Sequence, residues 1–120
     1  MSGNQPDLFE GIDVYPDKLE DRHRRSLFGK WLALNREAVG ELVGWAVWLD
    51  MMGKPVSVGY LFEKERYEGT AELHPVEFKT YSGEERAYSL NNNDRALFAR
   101  WLKERHPGMN VSTRRSKWDA

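Results

Sequence analysis

Residues Leu90 to Pro107 read LNNNDRALFARWLKERHP, and the reading of this stretch decides the fold. Asn91, Asn92 and Asn93 offer side-chain oxygens to the unpaired N–H groups of a first helical turn opened by Asp94. His106, Pro107 and Gly108 end the run. At about 100° per residue, Leu97, Phe98, Trp101 and Leu102 fall on one side, and Arg95, Ala99, Arg100 and Lys103 on the other. The spacing therefore predicts a helix with a buried apolar stripe and an outward face that is basic and partly small. A helix of that shape can lie in a nucleic-acid groove, although most basic helix faces are only solvated.

Just upstream the period shortens. Val76, Phe78 and Tyr81 precede Ser82-Gly83-Glu84-Glu85, and Ala87, Tyr88 and Leu90 follow, which predicts a β-hairpin over residues 76–90 with a glycine-containing turn. Before it, Ser57 caps a helix predicted from Val58 to about Glu68, with Val58, Leu61 and Phe62 on one side. Glu65 interrupts that apolar side and is expected to reach water at an edge, with a pairing to an arginine such as Arg105 as the alternative.

Asn35 is expected to cap a helix from Arg36 to Met52, which Gly53 ends in left-handed geometry. Ala38, Leu42, Trp45, Ala46 and Leu49 share one face, and Val39, Val43, Val47 and Met51 widen the apolar surface to most of the circumference. Gly40 and Gly44, four apart, would let another helix approach closely, although ordinary packing of the core suffices to account for them, and Trp48 is a candidate surface aromatic. A first helix is predicted from about Leu19 to Leu34, with the basic cluster Arg22-His23-Arg24-Arg25 near its start. Such a run either touches phosphate or is simply wetted.

The totals bound the class. With 120 residues the chain is expected to form a single domain, and without cysteine it has no disulfide, thiolate metal site or thiol nucleophile. No apolar run approaches the length of a membrane span, and the acidic amino end does not resemble a secretion signal, so no membrane association and a cytoplasmic setting in a bacterial host are expected. The net charge of −1 argues against bulk electrostatic attraction to nucleic acid, but the distribution is uneven. Residues 1–21 hold six acids against Lys18, whereas residues 94–120 hold seven bases against three acids, so an anionic partner should meet the carboxyl-terminal third.

Residues 1–18 show no lasting period and are read as a flexible tail, residues 19–113 as the helical domain, and residues 114–120 as a basic tail. In the first tail, Gln5-Pro6-Asp7-Leu8-Phe9 resembles the short peptide by which bacterial replication and repair proteins bind the ring-shaped sliding clamp. The resemblance implies that Gln5 makes polar contacts while Leu8 and Phe9 enter an apolar pocket of the clamp. The alternative is that Leu8, Phe9, Ile12, Val14 and Tyr15 pack onto the chain's own domain. In the last tail, Arg114, Arg115 and Lys117 with Trp118 suit phosphate contact and base stacking.

A second resemblance spans Asn35 to Thr113. Asn35 with Val39, Ser57-x-x-x-Leu61-Phe62, Arg66-Tyr67-Glu68, Phe78-Lys79, Leu90-Asn91-Asn92-Asn93, Ala99-Arg100-Trp101 and His106-Pro107 together resemble a group of small phage- and prophage-encoded proteins of unknown function. The chain departs from that pattern at Glu65, where an apolar residue is usual, and in an insertion over Thr80 to Ser89. The resemblance implies a mobile genetic element and brings no activity with it.

Chemistry-bearing patterns are sparse. His23, His74 and His106 lack ligand spacing, and there is no glycine-rich phosphate loop and no nucleophile elbow. No catalytic residue, metal or cofactor is assigned, although a metal-dependent nuclease assembled from scattered acids stays open as a third reading. The expected architecture is mainly α with a small β-hairpin (α+β), similar to a winged helix-turn-helix domain. The first functional expectation is a non-enzymatic accessory protein that binds double-stranded DNA, the replication machinery through the sliding clamp, or both. DNA would be met by Arg95, Ala99, Arg100, Lys103, Arg114, Arg115 and Lys117, and the clamp by Gln5, Leu8 and Phe9. The second is a protein-interaction module or inhibitor of a host factor without DNA binding, using exposed aromatics such as Trp48 and Trp118.

Overall fold

The computed structural model describes residues 13–111. The elements run β1 (Asp13–Tyr15), α1 (Asp21–Leu34), α2 (Arg36–Met51), α3 (Val58–Glu68), β2 (Val76–Thr80), β3 (Glu85–Tyr88), a single 3-10 turn (Asn92–Asp94) and α4 (Arg95–Arg105). The fold is therefore mixed α and β, with four helices and one three-stranded sheet among the described residues.

The expected hairpin is present, β2 pairing antiparallel with β3 from Val76 opposite Tyr88 to Lys79 opposite Glu85. Gly83 turns it with φ of 93°, a left-handed conformation that side chains disfavour. The unexpected partner is β1, which pairs parallel with β2, Asp13 opposite Phe78 and Tyr15 opposite Thr80, making β2 the central strand. Residues 13–18, expected in a flexible tail, are instead tied to the domain. The Tyr81 N–H donates to Tyr15 O, the Ser82 N–H to Asp17 Oδ1, and Arg86 to Asp17 O. Tyr15 also joins the sheet to α1: its ring meets Phe78 edge-on at 5.4 Å, and its hydroxyl lies 2.9 Å from Ser26 Oγ and from Lys30 Nζ.

The helix ends follow the local chemistry in part. Ser57 caps α3, its hydroxyl accepting from the Tyr60 N–H at 3.2 Å. Gly53, at φ of 73°, closes α2 in a Schellman arrangement in which the Lys54 N–H reaches Leu49 O and the Gly53 N–H reaches Asp50 O. After α4 the chain returns to the start of α3 through one parallel bridge between Val56 and Val111.

Asn35 departs from its expected role. It makes no side-chain cap for α2. At the one-residue joint between α1 and α2 it is 2% exposed, donates from Nδ2 to Trp31 O and His74 O, and accepts the His74 N–H on Oδ1 at 2.6 Å. One buried amide thus fixes the chain entering β2 against the α1–α2 corner.

The core gathers on Phe98 of α4, which is fully buried and packs against Phe62 at 5.5 Å, Trp101 at 5.4 Å and Phe28 at 6.5 Å. Leu27, Leu42, Leu61 and Leu102 close around it.

Removing the buried Asn35 amide leaves the part-buried His74 N–H and carbonyl without their partners, at a cost of about 1 kcal/mol or more for the lost bonds. Urea denaturation of Asn35→Ala is expected to show that loss; a midpoint equal to that of the unsubstituted chain would contradict the clamp.

Candidate phosphate-binding recess between α1 and α4

Burial of Phe98 sets the rotation of α4, and that rotation corrects the expected basic face. The buried stripe is Phe98, Ala99 and Leu102, with Ala99 only 2% exposed, so Ala99 belongs to the core and meets no partner. Leu97, expected inside, is half-buried: it packs against the edge of the core and also lines the space toward α1. Arg95 is half-buried against α3, where a Cβ at Gly59 would come within 3.3 Å of its Nη1. Lys103 donates to Met109 O at 2.7 Å and so holds the turn after the helix. Arg105 stacks its guanidinium over the Trp101 ring at 4.6 Å. Of the expected α4 contacts only Arg100 stands exposed without a hydrogen bond or ion pair among the described residues.

Arg100 does not stand alone in space. It lines a recess of about 270 Å³ with Arg24 and Arg25 of α1, together with Asp21, Asn93, Asp94, Ala96 and Leu97. The Arg22-His23-Arg24-Arg25 cluster divides its work accordingly. Arg22 pairs with Glu20 at 3.2 Å, and His23 accepts the Glu20 N–H on Nδ1 at 3.0 Å, fixing the start of α1. Arg24 and Arg25, on the next positions, are left to face α4. None of the three recess arginines forms a hydrogen bond or ion pair within bonding distance among the described residues; the Arg24 charge acts on the buried Asp94 carboxyl, and Arg25 and Arg100 leave their donors open to a ligand.

The asparagine run shapes the α4 side. The Asn93 N–H donates to Asn91 Oδ1 at 2.8 Å, and the Asn91 N–H donates to Asp94 Oδ2 at 3.0 Å, so the run folds back on itself rather than capping α4 directly. Asp94 is 1% exposed, and burial raises its carboxyl above the ordinary value; the Asn91 N–H, Tyr88 and Arg24 pull the other way. Asp94 Oδ1 and the Tyr88 hydroxyl are both closed to solvent and have each other as their polar neighbour, and burial, then the Asp94 charge, pushes the Tyr88 phenol up. The recess thus sets three guanidinium groups against two acids, one of them buried and made harder to ionise. Forked guanidinium donors from two helices suit a phosphate.

A second set of ionisable groups lies elsewhere and has a different character. Glu65, expected at a wet edge, is 8% exposed, and both its carboxyl oxygens are closed to solvent with the Glu41 carboxyl as their polar neighbour. Its carboxyl folds over Gly69, where any Cβ would collide with it. Burial, and then the neighbouring Glu41, raise Glu65 to about 8. Glu41 is lowered to about 2, chiefly because the Thr70 hydroxyl donates to it at 2.6 Å, with further N–H donors from Thr70 and Ala71. Two carboxyls with separated pKa values can serve as an acid and base pair. Here the Glu65 carboxyl oxygens are closed to solvent, although the residue borders a small recess of about 100 Å³ with Trp31, Phe62 and Leu90, and Glu41 holds residues 70 and 71 against α2.

The remaining expected contacts, Gln5, Leu8, Phe9, Arg114, Arg115, Lys117 and Trp118, lie outside the described residues. Among the described residues no group of three or more histidines or acids is placed to hold a metal, and no helix is long and apolar enough to cross a membrane. No family model, curated protein or solved structure matches the chain.

The acid pair makes a pH prediction. Glu65 binds its proton more tightly folded than unfolded, so its contribution is full below its ordinary value of 4.5 and is lost as pH rises through about 8. Glu41 works in the opposite sense, its contribution being present above 4.5 and lost as pH falls through about 2. Urea midpoints should therefore decline from about pH 5 to about pH 8, and Glu65→Gln should flatten the decline. Equal slopes for both chains would show that Glu65 is not the group responsible.

Proposed function

We propose that the chain is a non-enzymatic binding protein that engages double-stranded DNA through backbone phosphate at the α1–α4 recess. The observation that carries this reading is the convergence of Arg24, Arg25 and Arg100 from two separate helices on one open recess. Phosphate contacts position a protein on a duplex without reading its sequence, and guanidinium groups converging from two helices suit that role. The β2–β3 hairpin, which leads into α4, serves in this reading as the wing of a winged helix-turn-helix-like contact. Arg114, Arg115 and Lys117 add phosphate contacts from the basic carboxyl end, and Gln5, Leu8 and Phe9 deliver the protein to the sliding clamp. The setting is a phage or prophage accessory protein in the bacterial cytoplasm, in keeping with the sequence resemblances.

Each phosphate neutralised releases condensed counterions, so binding to a duplex should weaken as salt rises, with a slope of about 0.9 per contact. Charge reversal of the three recess arginines (Arg24→Glu, Arg25→Glu, Arg100→Glu) should abolish at least three contacts and lower that slope by about 2.7 or more. Fluorescence anisotropy with labelled duplex at several salt concentrations reads both quantities. Recovery of purified clamp, lost on Leu8→Ala with Phe9→Ala, tests the peptide separately. Undiminished duplex binding by the triple variant would overturn the recess as the site.

A further inference from the structure

The α1–α4 recess has the form of a socket rather than a track. Arg24 and Arg25 come from one helix and Arg100 from another, and the three converge on a single hollow of about 270 Å³. The diesters within a DNA strand follow one another at about 3.4 Å along the axis, each with one charge, so a surface that tracks the strand carries its cations in a row.

No such row leads away from Arg100 along α4. Lys103 is bonded to Met109 O, Arg105 lies on the Trp101 ring, and Arg95 is half-buried against α3. One turn beyond Arg100, on the same face of the helix, stands exposed Glu104. On α1, Arg22 is paired with Glu20, and exposed Asp21 borders the recess itself. A strand laid along α4 or across the start of α1 therefore passes over an acid.

A terminal phosphate makes different demands. A monoester gathers three free oxygens on one phosphorus and carries a charge of about −1.5 to −2 at pH 7. Three forked guanidinium groups around one hollow match that concentrated charge, with paired N–H donors for its oxygens. The wall does not cancel them: of the two acids, Asp94 is buried and harder to ionise, so the hollow stays net positive.

We propose that, granted the phosphate reading of this recess, it is a socket for a phosphate monoester, as on the end of a phosphorylated DNA strand or on a free nucleotide, in preference to the diesters within a strand. Exposed Arg25 and Arg100 grip the group from the two helices, and half-buried Arg24 closes the inner side.

Fluorescence anisotropy of the full chain reads the preference, using duplexes of one sequence that end in a 5′ phosphate, a 3′ phosphate or hydroxyl groups alone. At one salt concentration a phosphorylated end should bind at least about tenfold tighter than hydroxyl ends. Arg25→Gln with Arg100→Gln should keep the circular dichroism of the unsubstituted chain and erase that preference. A nucleoside monophosphate that displaces the phosphorylated duplex as well as an unlabelled copy of that duplex does assigns the socket to the free monoester, and weaker displacement assigns it to the DNA end. Equal binding of phosphorylated and hydroxyl-ended duplexes, both lost in the double variant, would overturn the socket and leave the diester contact standing. A preference for phosphorylated ends that survives the double variant would place monoester recognition elsewhere and overturn the socket too. Hydroxyl-ended and phosphorylated duplexes both bound undiminished by the double variant would remove the phosphate reading of the recess altogether.

Discussion

The burial of the Phe98 ring is the constraint on which the rest of the molecule turns. The ring is sealed among Phe28 of α1, Phe62 of α3 and Trp101 of its own helix. Full burial of such a side chain stabilises by about 3 kcal/mol, and aromatic edge contacts add to that. A helix has one rotation that seats Phe98 together with Leu102, and that rotation carries Ala99 inward and Arg100 outward. It also brings the start of α4 beside α1, which places Arg100 in the same recess as Arg24 and Arg25. Packing in the core therefore decides where positive charge can gather on the surface.

The polar interior does a complementary task. Asn35 grips the backbone at His74, and Glu41 grips it at Thr70 and Ala71, so both ends of the connection between α3 and β2 are held by side chains of the α1–α2 region. Glu65, protonated near neutral pH, completes this corner by lying over Gly69. With the connection fixed, β2 sits as the central strand and β3 runs directly to the asparagine turn ahead of α4. Buried acids of this kind are costly when charged, and a raised pKa is the usual way a chain avoids that cost.

Much of the fold was legible because its signals are local. Ser57 with its following apolar residues marked α3 to the residue, and Gly83 between two alternating runs marked the hairpin. Strand β1 was not legible: it has three residues, too few for an alternating pattern, and its partner lies more than 60 positions away. The exact rotation of α4 was also beyond the pattern, since a small residue such as Ala99 fits either the core or the surface and its burial is decided by the neighbours the helix meets. The site shows the same division. Both halves of the recess stood out as basic clusters, yet only tertiary packing reveals that Arg22 and His23 are spent on the start of α1 while Arg24 and Arg25 face Arg100. Glu65 broke an apolar face for a reason found in Glu41 and Gly69, and neither is visible from the spacing of α3 alone.

The central claim is that positive charge available to a phosphate is focused where α1 meets α4, and not spread along α4. The most direct measurement is nuclear magnetic resonance of the arginine side-chain Nε–H groups during titration with a short duplex. The account predicts that the Arg24, Arg25 and Arg100 signals shift together and saturate at one ligand concentration, while Arg105, stacked on Trp101, stays in place. Shifts centred on Arg105 with the three recess signals unmoved would contradict it.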